Sequence, residues 1–337
     1  MHVFVYEWAT GGGLVDEPGS PPGSLLREGT AMVRALAGDL ARIDGCRVSI
    51  LRDMSVLDLG VPGAEIIDVH SSVTHWEEFE RLAATADGTI VIAPEFDRIL
   101  YRTAGRVVAG GGTLLSADPA FIRIAANKHR TAERLAKAGV PVPDALLLEP
   151  DEKLPVAFTY PAVLKPIDGA GSQDVQLVTG PHDTPLPYAW QRRLEPYCAG
   201  MAASVAVLCG AKVQVALPPC EQLISEDGRM RYLGGRLPLT EGLAERAKEL
   251  ALRSLDALPA GIGYIGIDMV LGRDPAGGED YVIEVNPRLT TSYVGLRASA
   301  KGNLAEAMLA VSRGESPSIE FAERGLEFDA EGHVSYA

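Results

Sequence analysis

The chain has 337 residues and carries 45 acidic against 31 basic side chains, a formal net charge of −14. That length suits about two or three domains, and 47% hydrophobic with 23% charged residues is an ordinary soluble composition. The acidic balance excludes nucleic acid as a partner, because a phosphate backbone needs a basic field; an anionic small molecule stays open wherever local cations or a metal reverse the field. Only seven of the basic residues are lysines, and none precedes Lys128.

Four cysteines (Cys46, Cys198, Cys209, Cys220) form no CxxC pair and have no histidine at metal-ligand spacing. The opening residues lack a basic segment followed by an apolar core. No run of about 18 apolar residues would span a membrane. The expectation is a reduced, cytoplasmic protein with no membrane partner.

In chain order, His2–Tyr6 reads as a strand, and apolar residues at three- and four-residue steps from Leu25 to Ile43 read as an amphipathic helix. Strand-like runs follow at Arg47–Leu51, Glu65–Val69, Thr89–Ala93 and Thr113–Ser116, with helices over Trp76–Ala86 and Arg98–Val108. Alternation of this kind predicts a parallel sheet covered by helices. Helix Asn127–Ala138 ends at Gly139, Pro141 and Pro143. Short strands then follow at Ala162–Lys165, Val175–Val178, Ser204–Leu208 and Lys212–Leu217, and a helix at Glu241–Ala257. Strands Tyr264–Leu271 and Tyr281–Val285, joined by a Gly/Pro/Asp-rich connection, read as a hairpin, and a last helix covers Leu304–Val311.

The hairpin carries the first chemical signal. Asp268 lies in an apolar run, and Glu284 and Asn286, two apart on a strand, point to one face. Buried carboxylates are costly unless paired or bound to metal, and an Asp, Glu and Asn oxygen set suits Mg²⁺, with Mn²⁺ an alternative. The competing reading pairs the acid with an arginine such as Arg288. Lys165 ends an apolar strand and is followed by Gly169, Ala170, Gly171 and Ser172. A lysine beside a glycine loop can cradle phosphate, although the P-loop order is absent; a strand ending in a plain turn is the alternative. Lys128 opens a helix, where its charge opposes the helix dipole unless an anion sits there. Gly11, Gly12 and Gly13 follow the first strand without the GxGxxG order, so a dinucleotide site is weakly supported. They read as either a closing loop or a turn, with Glu7 facing the same cleft. The segment Glu195-Pro196-Tyr197-Cys198 reads as a hinge whose backbone can meet an adenine edge, with Cys198 a small buried hydrophobe rather than a nucleophile.

Taken in order, Asn127-Lys128, AGVPVPD, Val163-Leu164-Lys165-Pro166, Asp168-Gly-Ala-Gly-Ser172, the hinge to Gly200, Gly266-Ile-Asp268 and Ile283-Glu284-Val-Asn286-Pro-Arg288 resemble the ATP-grasp carboxylate–amine ligases over about residues 118–297. The resemblance implies an α/β fold of ATP-grasp architecture: an N-terminal parallel-sheet βα domain over residues 1–117, a linker helix and small α+β lid over 118–193, a C-terminal α+β subdomain over 194–314, and a polar tail over 315–337. It implies an enzyme that binds ATP and Mg²⁺ and joins a small carboxylate to an amine through an acyl phosphate; a homodimer is one assembly it allows. Lys128 and Lys165 would bind phosphates under the loop of Gly169, Gly171 and Ser172. Glu195, Pro196, Tyr197 and Cys198 would line the adenine pocket, Asp268, Glu284 and Asn286 would hold the metal, and Arg288, with Lys165, would act in catalysis. Tyr6–Gly13 and Asn286–Tyr293 resemble a branch of the family that joins L-glutamate to an amine such as tyramine. That places Glu7, Gly11, Gly12, Gly13, Arg288 and Ser292 near substrate. One departure is that Met201-Ala-Ala-Ser204 lacks the acid many relatives carry after the hinge glycine, which leaves the ribose contact to Ser204 or to an acid elsewhere. Competing readings are an amino-acid or peptide ligase with other substrates, or a nucleotide sensor without turnover.

Overall fold

The computed structural model describes residues 1–16, 23–56, 58–169, 171 and 173–336. The apolar run at the start forms β1 (His2–Glu7), buried at every position, and α1 (Gly23–Leu40) buries one stripe from Gly29 to Leu40. β2 (Arg47–Asp53), β3 (Ala64–Val69), α2 (Ser72–Thr85) and β4 (Gly88–Ile92) complete a parallel four-stranded sheet in the order β3-β2-β1-β4. Ser71 caps α2 through its hydroxyl. The strand expected at Thr113–Ser116 is reduced to a single bridge, Thr89 with Leu114. The run is cut short because Asp118 caps a helix the sequence reading missed, α4 (Pro119–Ala125), which follows α3 (Ile99–Ala109).

After α5 (Lys128–Lys137), a small antiparallel sheet gathers β5 (Leu146–Leu148), β6 (Ala162–Pro166), β7 (Gln176–Val178) and β8 (Arg192–Pro196) in the order β5-β8-β6-β7. It has its own small core of Leu148, Leu154, Ala162, Leu164, Val178 and Leu194. The boundary expected at 193/194 falls inside β8, so Glu195 and Pro196 belong to this sheet.

The large antiparallel sheet comprises β9 (Met201–Cys209), β10 (Gln214–Ala216), β11 (Cys220–Ile224), β12 (Tyr232–Leu237), β13 (Gly263–Leu271), β14 (Tyr281–Asn286), β15 (Leu326–Asp329) and β16 (Val334–Tyr336), with α6 (Glu241–Asp256), α7 (Ser292–Ser299) and α8 (Leu304–Ser312) connecting or covering it. The described part of the polar tail, residues 315–336, supplies β15 and β16. β15 pairs with β12 and buries Leu326 and Phe328, an alternation too short to stand out among polar neighbours. The N-terminal and large sheets share two continuous cores. They are also tied by Asp39 of α1, which accepts from Arg297 at 2.6 and 2.8 Å and from the Tyr293 hydroxyl at 2.8 Å. Among the described residues no helix is long and apolar enough to cross a membrane, and all four cysteines are free.

Candidate active site

Between the small and large sheets lies a cleft with ≈ 1350 Å³ of open space, walled by the start of α5, the end of β6 and its following loop, the end of β8, and the β13–β14 hairpin. Asn127 stands in extended geometry and caps α5, its Oδ1 accepting from Arg130 N at 2.9 Å. The Lys128 N–H donates to Ile167 O at 2.8 Å, which fastens the helix start to the segment after β6. Its ammonium lies 2.7 Å from Glu284 Oε1 and donates to Gly169 O at 3.1 Å.

On the small sheet, Lys165 pairs directly across from Arg193, and two facing cations repel. Glu195 resolves this. Its Oε1 lies 2.5 Å from Lys165 Nζ and its Oε2 accepts from Arg193 Nε at 2.8 Å, all three side chains being buried. The carboxylate expected to line an adenine pocket is therefore committed to two cations, and only the rest of the residue borders the cleft. The Tyr197 N–H is also taken, by Pro161 O at 2.9 Å. Burial and the Glu195 charge push the Cys198 thiol up to about 11, which keeps it protonated and unfit as a nucleophile.

On the hairpin, Asp268 stands directly opposite Glu284. Asp268 Oδ2 accepts from Asn286 Nδ2 and Oδ1 from Gln222 Nε2, both at 3.0 Å. Burial and the facing Glu284 charge push Asp268 up to about 7. A divalent cation between these oxygens would remove that penalty, and the donor set is all oxygen, so the residues fit Mg²⁺. Arg288 is buried at the seam with the N-terminal domain. Its Nη2 donates to Glu95 Oε2 at 3.2 Å, while Nε lies 2.9 Å from Glu95 Oε1 but too poorly aligned to bond, so both those atoms are buried without a hydrogen bond. The Ser292 hydroxyl sits 2.8 Å from the Tyr264 hydroxyl and 2.9 Å from Thr290 Oγ1 at the cleft wall.

The cleft thus brings together Lys128, Lys165, Gly169, Gly171, Glu195, Pro196, Tyr197, Cys198, Asp268, Glu284, Asn286, Arg288 and Ser292. Ser172 lies outside the described residues. Glu7 and Gly11–Gly13 do not line it. Glu7 instead folds its own loop, accepting from Ala9 N at 3.1 Å and from Thr10 N and Oγ1 at 2.7 Å. Gln222 and Tyr232, on two unforeseen strands, and Glu28 of α1 also border the cleft, and Glu95 meets it through Arg288; no sequence motif marks any of the four. Ser204, offered for the ribose, does border the cleft.

A family model described as an ATP-grasp domain matches residues 125–292, and one described as a pre ATP-grasp 3 domain matches residues 46–122. The chain belongs to the ATP-grasp family of ligases. It is 23% identical over 97% of its length to a tyramine–L-glutamate ligase of Methanocaldococcus jannaschii, covering 93% of that protein. Among solved structures it resembles an ATP-grasp superfamily protein from Archaeoglobus fulgidus, with TM-score 0.72, 20% identity and coverage of 98% of this chain and 92% of that one. It also resembles N5-carboxyaminoimidazole synthetase from Staphylococcus aureus complexed with ADP, with TM-score 0.69, 15% identity and coverage of 97% and 81%.

Proposed function

We propose that the chain joins a small carboxylate to an amine through an acyl phosphate, consuming ATP, with L-glutamate and tyramine or a related amine as the leading pair. The observation that carries this reading is the convergence of two buried lysines and an Asp–Glu–Asn oxygen set on one cleft. The relatives' names and the ADP held by a structural neighbour agree with it.

Lys128 and Lys165 would bind the phosphates, with Gly169 and Gly171 giving the backbone close approach. Pro196, Tyr197 and Cys198 would wall the adenine. Asp268, Glu284 and Asn286 would hold Mg²⁺, which when bound neutralises phosphate charge and orients the triphosphate. The substrate carboxylate oxygen attacks the γ-phosphorus and ADP leaves. The amine nitrogen then attacks the acyl carbon, and phosphate departs with the C–O bonding pair. Carboxylate and triphosphate repel each other, and Lys128, Lys165 and Arg288 offset that repulsion. The small sheet, with a core of its own, acts as a lid that keeps water from the acyl phosphate. A reduced cytoplasmic setting suits the four free thiols.

The test is ADP release on mixing enzyme, MgATP, a carboxylate and an amine. Release that requires both substrates is expected. Absence of release with every pair tried would remove the ligase reading, and no stimulation by L-glutamate would remove the leading pair.

A further inference from the structure

A second, smaller pocket, with ≈ 370 Å³ of empty space counting the open solvent at its mouth, lies against the first, at the seam between the N-terminal domain and the cleft. It shares Glu28, Gly171 and Arg288 with the cleft and adds apolar walls from Trp8, Met32 and Ile92. Leu25, Glu28 and Met32 recur at steps of three and four, so α1 turns one stripe toward it. Gly29, also on α1, has no side chain, and the Glu7 carboxylate fills the space: a Cβ there would come 2.5 Å from Glu7 Cδ.

Charge decides what this cavity takes. Glu7, Glu28 and the neighbouring Glu95 set three carboxylates around one guanidinium, Arg288, which Glu95 already engages. Glu7 is saturated by its own loop. Glu28 differs from both: among the described residues no hydrogen bond or close ion pair is made by its carboxylate, and Arg288 and Arg27 act on it only through longer-range charge. It is half-buried, and a Cβ on Gly171 would lie 3.6 Å from its Oε1. A carboxylate of α1 that faces Gly171 would repel a triphosphate bound beside that loop unless a cation stands between them. An anionic substrate would meet the same excess of negative charge; a cation would relieve it.

We infer that the second cavity is the amine subsite, where Glu28 receives a primary ammonium whose apolar body packs against Trp8, Met32 and Ile92. The inference rests on the ligase reading above and names the residue that serves its second half-reaction. Once the acyl phosphate has formed, the ammonium gives one proton to the Glu28 carboxylate. The freed lone pair forms the C–N bond as the C–O bond to phosphate breaks. The second nitrogen proton leaves with the phosphate, and Glu28 returns its proton to water. Burial already raises the Glu28 carboxyl, which makes it a better proton acceptor than an exposed one.

Hydroxylamine separates the two halves, because it is small, uncharged near neutrality and traps an acyl phosphate without needing an ammonium site. Wild-type enzyme with MgATP and hydroxylamine is first offered the common amino acids, L-glutamate foremost. Hydroxamate from none of them overturns the ligase reading itself, and this inference with it. With the carboxylate so identified, Glu28→Gln keeps hydroxamate formation within about threefold, while kcat/KM for tyramine or the best primary amine of a panel falls at least about 100-fold. Glu28→Asp, which keeps the charge, recovers part of the amine rate. Equal loss of hydroxamate and amide in Glu28→Gln, no loss of either, or wild-type amide formation with no primary amine of the panel would each overturn the assignment. The hydroxamate rate also reports that the variant is folded.

Discussion

Two glycine loops follow two strands in this chain, and the fold treats them in opposite ways. Gly11–Gly13 closes on its own neighbours. A Cβ on Gly11 would lie 2.5 Å from Glu7 O, one on Gly12 would lie 2.6 Å from Val69 Cγ2, and one on Gly13 would sit on the Trp8 indole. Gly169 and Gly171 leave room for a side chain: among the described residues the nearest atoms to an added Cβ lie at 3.9 Å (Pro166 Cβ) and 3.6 Å (Glu28 Oε1), ordinary contact distances, and both have positive φ. In the first loop, glycine makes room for protein. In the second, the room is left over, and it borders the cleft that holds Lys128 and Lys165. A glycine cluster signals close approach, and only its surroundings reveal whether protein or ligand does the approaching.

Several variants would break or sharpen this contrast. The largest expected effect lies beside the open loop. Glu284→Gln removes the partner of Lys128 and one oxygen of the proposed metal set, and should lower turnover about 10²–10³-fold, or about 3–4 kcal/mol, with the urea midpoint nearly unchanged. Wild-type turnover in the folded variant would remove the site assignment. Next, Gly12→Ala should destabilise the protein by about 1–3 kcal/mol through overpacking, with added strain from φ +102, while KM for ATP stays put in the folded fraction. Gly171→Ala should do the reverse. Strain at φ +66 costs about 1–2 kcal/mol, confined to a loop that carries little of the core, while KM for ATP rises about tenfold. A shifted KM for ATP in Gly12→Ala, or an unshifted one in Gly171→Ala, would erase the distinction. A pH-dependent effect on stability alone concerns His75, which packs against Gly12 and bonds the Tyr6 hydroxyl at 2.9 Å. Burial pushes His75 down from 6.5 to about 4. The folded pKa is below the unfolded one, so its contribution is complete above pH 6.5 and is lost as pH falls toward about 4. Denaturant titrations across that range should show the slope, and His75→Gln should flatten it.

Much of this arrangement was legible in the sequence because it is local. Asn127 caps the helix that carries Lys128, and the two-residue period places Glu284 and Asn286 together. Asp268 could be set against Glu284 because a turn-rich connection joins their strands. The unread parts depend on distant pairings. β5 has only three residues and means nothing until β8 lies beside it. Glu95 is a loop acid until Arg288, 193 residues later, packs on it. Glu28 looks like one polar position of an amphipathic helix, and only the fold turns it toward the cleft. The first strand in the tail, β15, is decided by Leu326 and Phe328 finding β12 and α7, not by the polar composition around them.

The central claim, an acyl phosphate formed and consumed in one cleft, has a direct isotopic signature. L-glutamate, or whichever carboxylate the hydroxamate screen identifies, is labelled with ¹⁸O in its carboxyl groups and turned over with MgATP and amine, and the released inorganic phosphate is weighed by mass spectrometry. The account predicts one carboxylate oxygen in phosphate for each amide made, because the C–O bond that breaks leaves its oxygen on phosphorus. Amide formation with unlabelled phosphate would contradict it.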